Sequence, residues 1–108
     1  MIEHLEFRFG LKSEVIEKIN SVFSKYPNIE QVVVYGSRAK GNYRLGSDID
    51  LTLIGTDLSY QQLLQIATDI DDLLLPYKVD LSIYKQINNP DLVEHINRIG
   101  QQFYIQNK

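Results

Sequence analysis

Asp48 and Asp50 stand two residues apart in the run Asp48 to Ile54 (DIDLTLI). Alternation in this run puts Ile49, Leu51 and Leu53 on one face of a strand and Asp48, Asp50 and Thr52 on the other. At ~3.3 Å rise per residue the two aspartate Cα atoms are roughly 6.6 Å apart, so both carboxylates can converge on one cation. Asp80 has the same setting in Val79 to Tyr84 (VDLSIY), where Val79, Leu81 and Ile83 face inward and Asp80, Ser82 and Tyr84 outward. If the two strands are neighbours, three acids meet on one side of a sheet. Like charges so close raise one another's pKa unless a divalent cation compensates them. Oxygen-only ligation, with no His or Cys in reach, favours magnesium, with manganese possible.

The segment just upstream adds the opposite charge. Gly36 to Ser47 (GSRAKGNYRLGS) holds three glycines and three cations, Arg38, Lys40 and Arg44, but no acid. Gly36 and Ser37 end an apolar strand where backbone amides can receive phosphate oxygens. An anion held beside a metal is what a nucleoside triphosphate with magnesium requires. The plain alternative is a half-exposed sheet whose alternation puts acids in solvent automatically, and a lone D-x-D does not exclude it. Other phosphate and nucleophile chemistries fit less well. GSRAKGNY misses the P-loop pattern because Asn42 and Tyr43 stand where lysine and a small hydroxyl residue belong. Ser37 as a covalent nucleophile lacks a base, since His4 and His95 have no triad spacing. His95 reads as a helix-surface or partly packed residue, Tyr26 and Tyr35 as core or core-edge, and Tyr43 as a loop residue able to touch a base.

These residues need a scaffold, and the pattern supplies one. Val15, Ile16, Ile19, Val22, Phe23 and Tyr26 form a helical stripe over Ser13 to Tyr26, closed by Pro27 and Asn28. Gln31 to Tyr35 (QVVVY) is a β-branched run of a buried strand, and Gly36 to Ser47 reads as a long, shaped connection. Ser59 and Gln62 match a capping box, followed by Leu63, Leu64, Ala67, Ile70 and Leu74 at helical spacing up to Pro76. Asn89 and Pro90 open a last helix with the stripe Leu92, Ile96 and Ile99 before Gly100. The tail QQFYIQNK fits either an edge strand or more helix.

Composition bounds what such a scaffold can be. At 108 residues, with 44 % hydrophobic and 23 % charged residues, the chain predicts one globular domain over residues 1–108. The absence of cysteine excludes a disulfide framework, a thiolate metal site and a cysteine nucleophile, and fits the cytoplasm. The charged amino-terminal MIEHLEFRFG is unlike a signal peptide, and no apolar run reaches the ~18 residues of a membrane span. Eleven Lys and Arg against 14 Asp and Glu give a net charge of −3, which argues against a broad nucleic-acid surface.

The run GSRAKGNYRLGSDIDL, a Gly-Ser pair, ten residues and then Asp-x-Asp, resembles the signature of the DNA polymerase β-like nucleotidyltransferase superfamily. The order of elements makes the chain most similar to its stand-alone minimal nucleotidyltransferases (MNT). The resemblance implies an α+β fold, a small mixed sheet flanked by helices. It assigns Gly36 and Ser37 to the triphosphate, Asp48 and Asp50 to magnesium, and Asp80 to the third metal-binding carboxylate and general base. Arg38 and Lys40 match basic positions of the stand-alone group and are expected at the nucleotide. Two magnesium ions are implied, bridging the three aspartates and the triphosphate during in-line attack at the α-phosphorus.

In toxin–antitoxin modules of this kind, the small protein transfers AMP from ATP to a tyrosine of a HEPN ribonuclease toxin. The resemblance therefore implies a HEPN-domain partner, an antitoxin role and a homo- or hetero-oligomer. Two alternatives stand beside it. One is a non-catalytic module that neutralises its partner by binding. The other is nucleotidyl transfer to a small molecule such as an aminoglycoside, RNA being the least compatible acceptor. Larger relatives carry extra domains for their acceptors, so a partner surface is expected to complete this one.

Overall fold

The computed structural model describes residues 7–106, so His4 and the end of the tail lie outside the described residues. The chain opens with a short hairpin, β1 (Phe7–Arg8) and β2 (Leu11–Lys12), and continues through α1 (Ser13–Phe23), β3 (Ile29–Tyr35), α2 (Ser37–Lys40) and β4 (Ile49–Gly55). There follow α3 (Tyr60–Asp71), β5 (Val79–Ile83), a 3-10 turn (Tyr84–Gln86), α4 (Pro90–Ile99) and β6 (Gln101–Ile105). The main sheet runs β5-β4-β3-β6. β3 is antiparallel to both β4 and β6, while β4 and β5 are parallel, joined by a crossover through α3. This is the expected α+β fold with a small mixed sheet.

The apolar stripe of the first helix is buried as read: Ile16, Ile19, Val22 and Phe23 pack with Val32, Val34, Ile49, Leu51 and Leu53 of the sheet. Each such side chain, fully removed from water, contributes roughly 1.5–3 kcal/mol. α1 ends at Phe23 because residues 24–26 close it with turn bonds, Lys25 N–H to Val22 and Tyr26 N–H to Phe23. On α3 the buried residues are Ile66 and Ile70, whereas Leu64 and Leu74 are exposed. The stripe is thus rotated by about a residue from the expected one. The helix stops at Asp71, well before Pro76, and Leu74 takes a left-handed φ of 57° in the turn that follows. Ser59 caps α3 by accepting from Gln62 N–H at 3.1 Å. The Gln62 side chain does not reach back to it, bonding Asn28 instead.

α4 lies over the opposite face of the sheet. Its Asn89 cap accepts from the amides of Asp91 and Leu92, as the Asn-Pro start predicts. Gly100 ends it at φ −60°, so its role is space: an added Cβ would stand 2.4 Å from the Ile96 carbonyl oxygen and 2.6 Å from Val33 Cγ1. The tail then resolves as edge strand β6. Two elements depart from expectation. Residues 37–40 form one helical turn within what reads as an irregular connection, and the amino-terminal segment contains the β1/β2 hairpin, turning through Phe9 and Gly10 at positive φ. No helix among the described residues is long and apolar enough to cross a membrane.

Candidate active site

Strand pairing decides whether the acids meet. Asp50 lies opposite Asp80 in the parallel β4/β5 register and opposite Tyr35 in the antiparallel β3/β4 register. Thr52 lies opposite Ser82 and Val33 in the same way. Directly opposed residues share a sheet face, so Tyr35, Asp50 and Asp80 form a row there, with Thr52 and Ser82 beneath. Ser82 Oγ donates to Thr52 Oγ1 at 2.9 Å, which satisfies a pair of hydroxyls where Thr52 is fully buried.

Asp48 precedes β4 and is exposed, whereas Asp50 is half-buried. Burial holds the Asp50 carboxyl above its ordinary pKa, and the negative charges of Asp80 and Asp48 push it the same way. Tyr35 is raised too, first by burial and then by the carboxylates of Asp50 and Asp80, with a bond to Ser82 opposing. The positive charge near Asp80 is Lys78 Nζ, 3.9 Å away on an exposed pair, and such pairs are worth little.

The bend after β3 is built against this row. Gly36 has φ 74°, and a Cβ there would sit 2.4 Å from Asp50 Oδ2. Backbone conformation and space therefore both demand glycine. Its carbonyl accepts from Lys40 N–H at 3.0 Å, closing the turn that carries Ser37. Gly36, Ser37, Asp50 and Asp80 are thus brought together, with Asp48 at the rim. Among the described residues no three His, Cys, Asp or Glu side chains are gathered tightly enough to be a ready-made metal centre. The donor set nevertheless fits a hard divalent cation. It is all-oxygen, and the Asp50 carboxyl, raised first by burial and then by the charges of Asp80 and Asp48, stands where a cation would favour its ionised form.

The basic residues of the motif divide. Lys40 is exposed at the end of α2. Arg38, expected at the nucleotide, is 3 % exposed and otherwise engaged. Its Nε and Nη2 donate to the Ser47 carbonyl at 3.2 and 2.8 Å, and Nη1 donates to the Phe9 carbonyl at 2.9 Å. The guanidinium lies over the rings of Tyr43 and Tyr77, 5.4 and 5.2 Å from their centroids. Arg38 is therefore a clamp joining the β1/β2 turn to the loop that ends at Asp48, and Tyr43 serves the same clamp. An open groove of about 650 Å³ beside α4, lined by Ile87, Pro90, Val93 and Asn97 among others, contains none of the sequence-predicted site residues.

Two participants escape the sequence reading. Tyr35, which reads as core or core-edge, stands in the acidic row. His95, which reads as a helix-surface or partly packed residue, is partly packed: it accepts a hydrogen bond from Gly36 N–H at 3.2 Å and meets the Tyr35 ring edge-on. A signal existed: His95 is three residues after Leu92 and four before Ile99, on the stripe that faces the sheet.

The strand, glycine bend and paired acidic strands are those of a nucleotidyltransferase. The Polymerase beta, Nucleotidyltransferase family profile matches residues 17–108, and the chain belongs to that family. It is 36 % identical over 64 residues to MJ0604, a candidate protein adenylyltransferase of Methanocaldococcus jannaschii. That match covers 58 % of this chain and 60 % of the relative, so it spans less than two thirds of the relative's length. Among solved structures, a toxin–antitoxin complex with AMP-PNP superposes with TM-score 0.69 at 21 % identity, covering 85 % of this chain and 74 % of that one. A complex of the tri-AMPylated Shewanella oneidensis HEPN toxin with its MNT antitoxin gives 0.65 at 19 %, covering 87 % and 72 %. At these identities the structural likeness speaks to the fold.

Proposed function

We propose that the chain is a magnesium-dependent minimal nucleotidyltransferase that moves AMP from ATP to a tyrosine hydroxyl of a HEPN-domain partner and thereby acts as an antitoxin in the cytoplasm. The observation that carries this reading is the row in which Asp50 faces Asp80 across β4 and β5 while Gly36 packs on the Asp50 carboxylate. The relatives' names support the protein acceptor and the toxin partner.

In this reading the Gly36–Ser37 bend seats the triphosphate, Gly36 through the close approach that its missing Cβ allows and Ser37 as the donor, with Lys40 close by in sequence. Asp48, Asp50 and Asp80 would hold the divalent cation, manganese being able to replace magnesium. When bound, the cation supplies neutralisation of phosphate charge and lowers the pKa of the attacking hydroxyl. Asp80 accepts the hydroxyl proton. The hydroxyl oxygen bonds to the α-phosphorus as the bond from that phosphorus to the bridging oxygen breaks, and pyrophosphate leaves. The remaining demand is alignment, which the rigid strand pair provides.

The test incubates the protein with α-labelled ATP, MgCl2 and a HEPN protein from the same genome. Label should appear on a tyrosine of the HEPN protein, and Asp48→Ala or Asp50→Asn should cut the rate on the order of 10²- to 10³-fold, the scale for losing one charge-stabilising group. Neutralisation of the toxin by Asp50→Asn as well as by the parent protein would replace this reading with inhibition by binding alone. Pyrophosphate release with an aminoglycoside but not with the HEPN protein would move the acceptor to small molecules.

A further inference from the structure

The Gly36 N–H lies in a crowded bend, and a donor there must find an acceptor. It finds one 59 residues further along the chain, the Nε2 of His95 on α4, at 3.2 Å. A ring nitrogen accepts only when unprotonated, so this bond selects the neutral imidazole with its proton on Nδ1. The ring is steadied by Tyr35, whose plane is 82° from it at a centroid distance of 6.2 Å. Gly36 is therefore held on three sides: its N–H by His95, its carbonyl by Lys40 N–H, and its Cα against Asp50. With its N–H and C=O both engaged, what the bend offers a phosphate depends on where Ser37 points. The imidazole holds the peptide plane between Tyr35 and Gly36, and the positive φ of Gly36 with its carbonyl bond to Lys40 leads the chain from that plane to Ser37.

We propose that His95 is a positioning residue of the nucleotide site: by accepting the Gly36 N–H it locks the bend so that Ser37 faces the triphosphate. The proposal rests on the assignment of this bend to the triphosphate. It gives α4, which carries none of the motif acids, a defined part in nucleotide binding.

The test compares His95→Leu, which keeps a side chain against Tyr35 but removes the acceptor, with His95→Gln, whose amide oxygen extends about as far as Nε2. His95→Ala serves if the leucine variant does not fold. AMP-PNP with MgCl2 is titrated calorimetrically, steady-state ATP kinetics are run, and the Gly36 amide is followed by ¹⁵N NMR without nucleotide. In the leucine variant the Gly36 resonance should shift and exchange faster. AMP-PNP should bind roughly 3- to 10-fold more weakly, the range for one net hydrogen bond, with the loss in KM for ATP more than in kcat. Glutamine should restore both signals. Unchanged AMP-PNP affinity in the leucine variant overturns the proposal, as does weakened affinity with an unmoved Gly36 resonance or without rescue by glutamine. If the unsubstituted protein itself binds no AMP-PNP, the triphosphate assignment fails and this inference fails with it.

Discussion

At the scale of single residues, the site is a place where folding works against itself. Asp50 is half-buried opposite another carboxylate, and its pKa is raised because both burial and its neighbours disfavour the ionised form. Above the ordinary carboxyl value of 3.8, Asp50 therefore costs the folded protein stability, increasingly as pH rises through its raised value. Asp50→Asn, nearly the same shape without the charge, is expected to raise Tm at pH 7 in metal-free buffer while slowing transfer on the order of 10²- to 10³-fold. A lowered Tm would mean that Asp50 makes stabilising contacts that outweigh the repulsion. The acids were legible in the sequence because strand alternation is a short-range rule that two aspartates at i and i+2 obey visibly. The stripe places His95 toward the sheet, but its partner is not legible, being an amide 59 residues away. A histidine on a helical stripe looks the same whether it meets a methyl group or an N–H.

At the scale of elements, the loop between α2 and β4 has its own fastening. Arg38 supplies three hydrogen bonds to backbone carbonyls and lies over two tyrosine rings. Losing it strands the carbonyls of Phe9 and Ser47, at about 1–3 kcal/mol for each unsatisfied buried group. Arg38→Gln should accordingly speed tryptic cleavage after Arg44, read by mass spectrometry, under conditions where the rest of the chain resists. Equal cleavage rates would show that the loop is held by other contacts. The helices and strands with four or more periodic residues were readable in advance. The hairpin of two-residue strands and the single turn of α2 are shorter than any period that could announce them. Arg38 shows the limit of a motif for a related reason: a cation in a glycine-rich run suggests phosphate, and only tertiary structure reveals the carbonyl oxygens that it bonds.

At the scale of the whole molecule, the turn after α1 is tied to α3 by Tyr26, whose hydroxyl donates to Asp69 Oδ2. Burial and this bond push the Tyr26 phenol from 10.0 up to about 12, and the bond holds Asp69 below its ordinary value. The signs follow from linkage. The raised phenol stabilises the folded protein fully below pH 10.0, and that contribution is lost as pH rises through about 12. The depressed carboxylate contributes above its unfolded value of 3.8 and fades as pH falls through its lower folded one. Tyr26→Phe should lower Tm at pH 7, and the gap from the parent protein should close at both extremes. A gap independent of pH would assign the loss to packing instead.

The parallel pairing of β4 with β5 reaches further than adjacency. Side chains alternate, so the inward row of Val79, Leu81 and Ile83 is what decides that residue 80 points toward residue 50. Shifting the strand by one place would expose grease to water and bury an acid in the same motion. The oily underside of the sheet thus proofreads the chemistry above it. Changes that preserve the interior keep the two aspartates face to face without any separate safeguard.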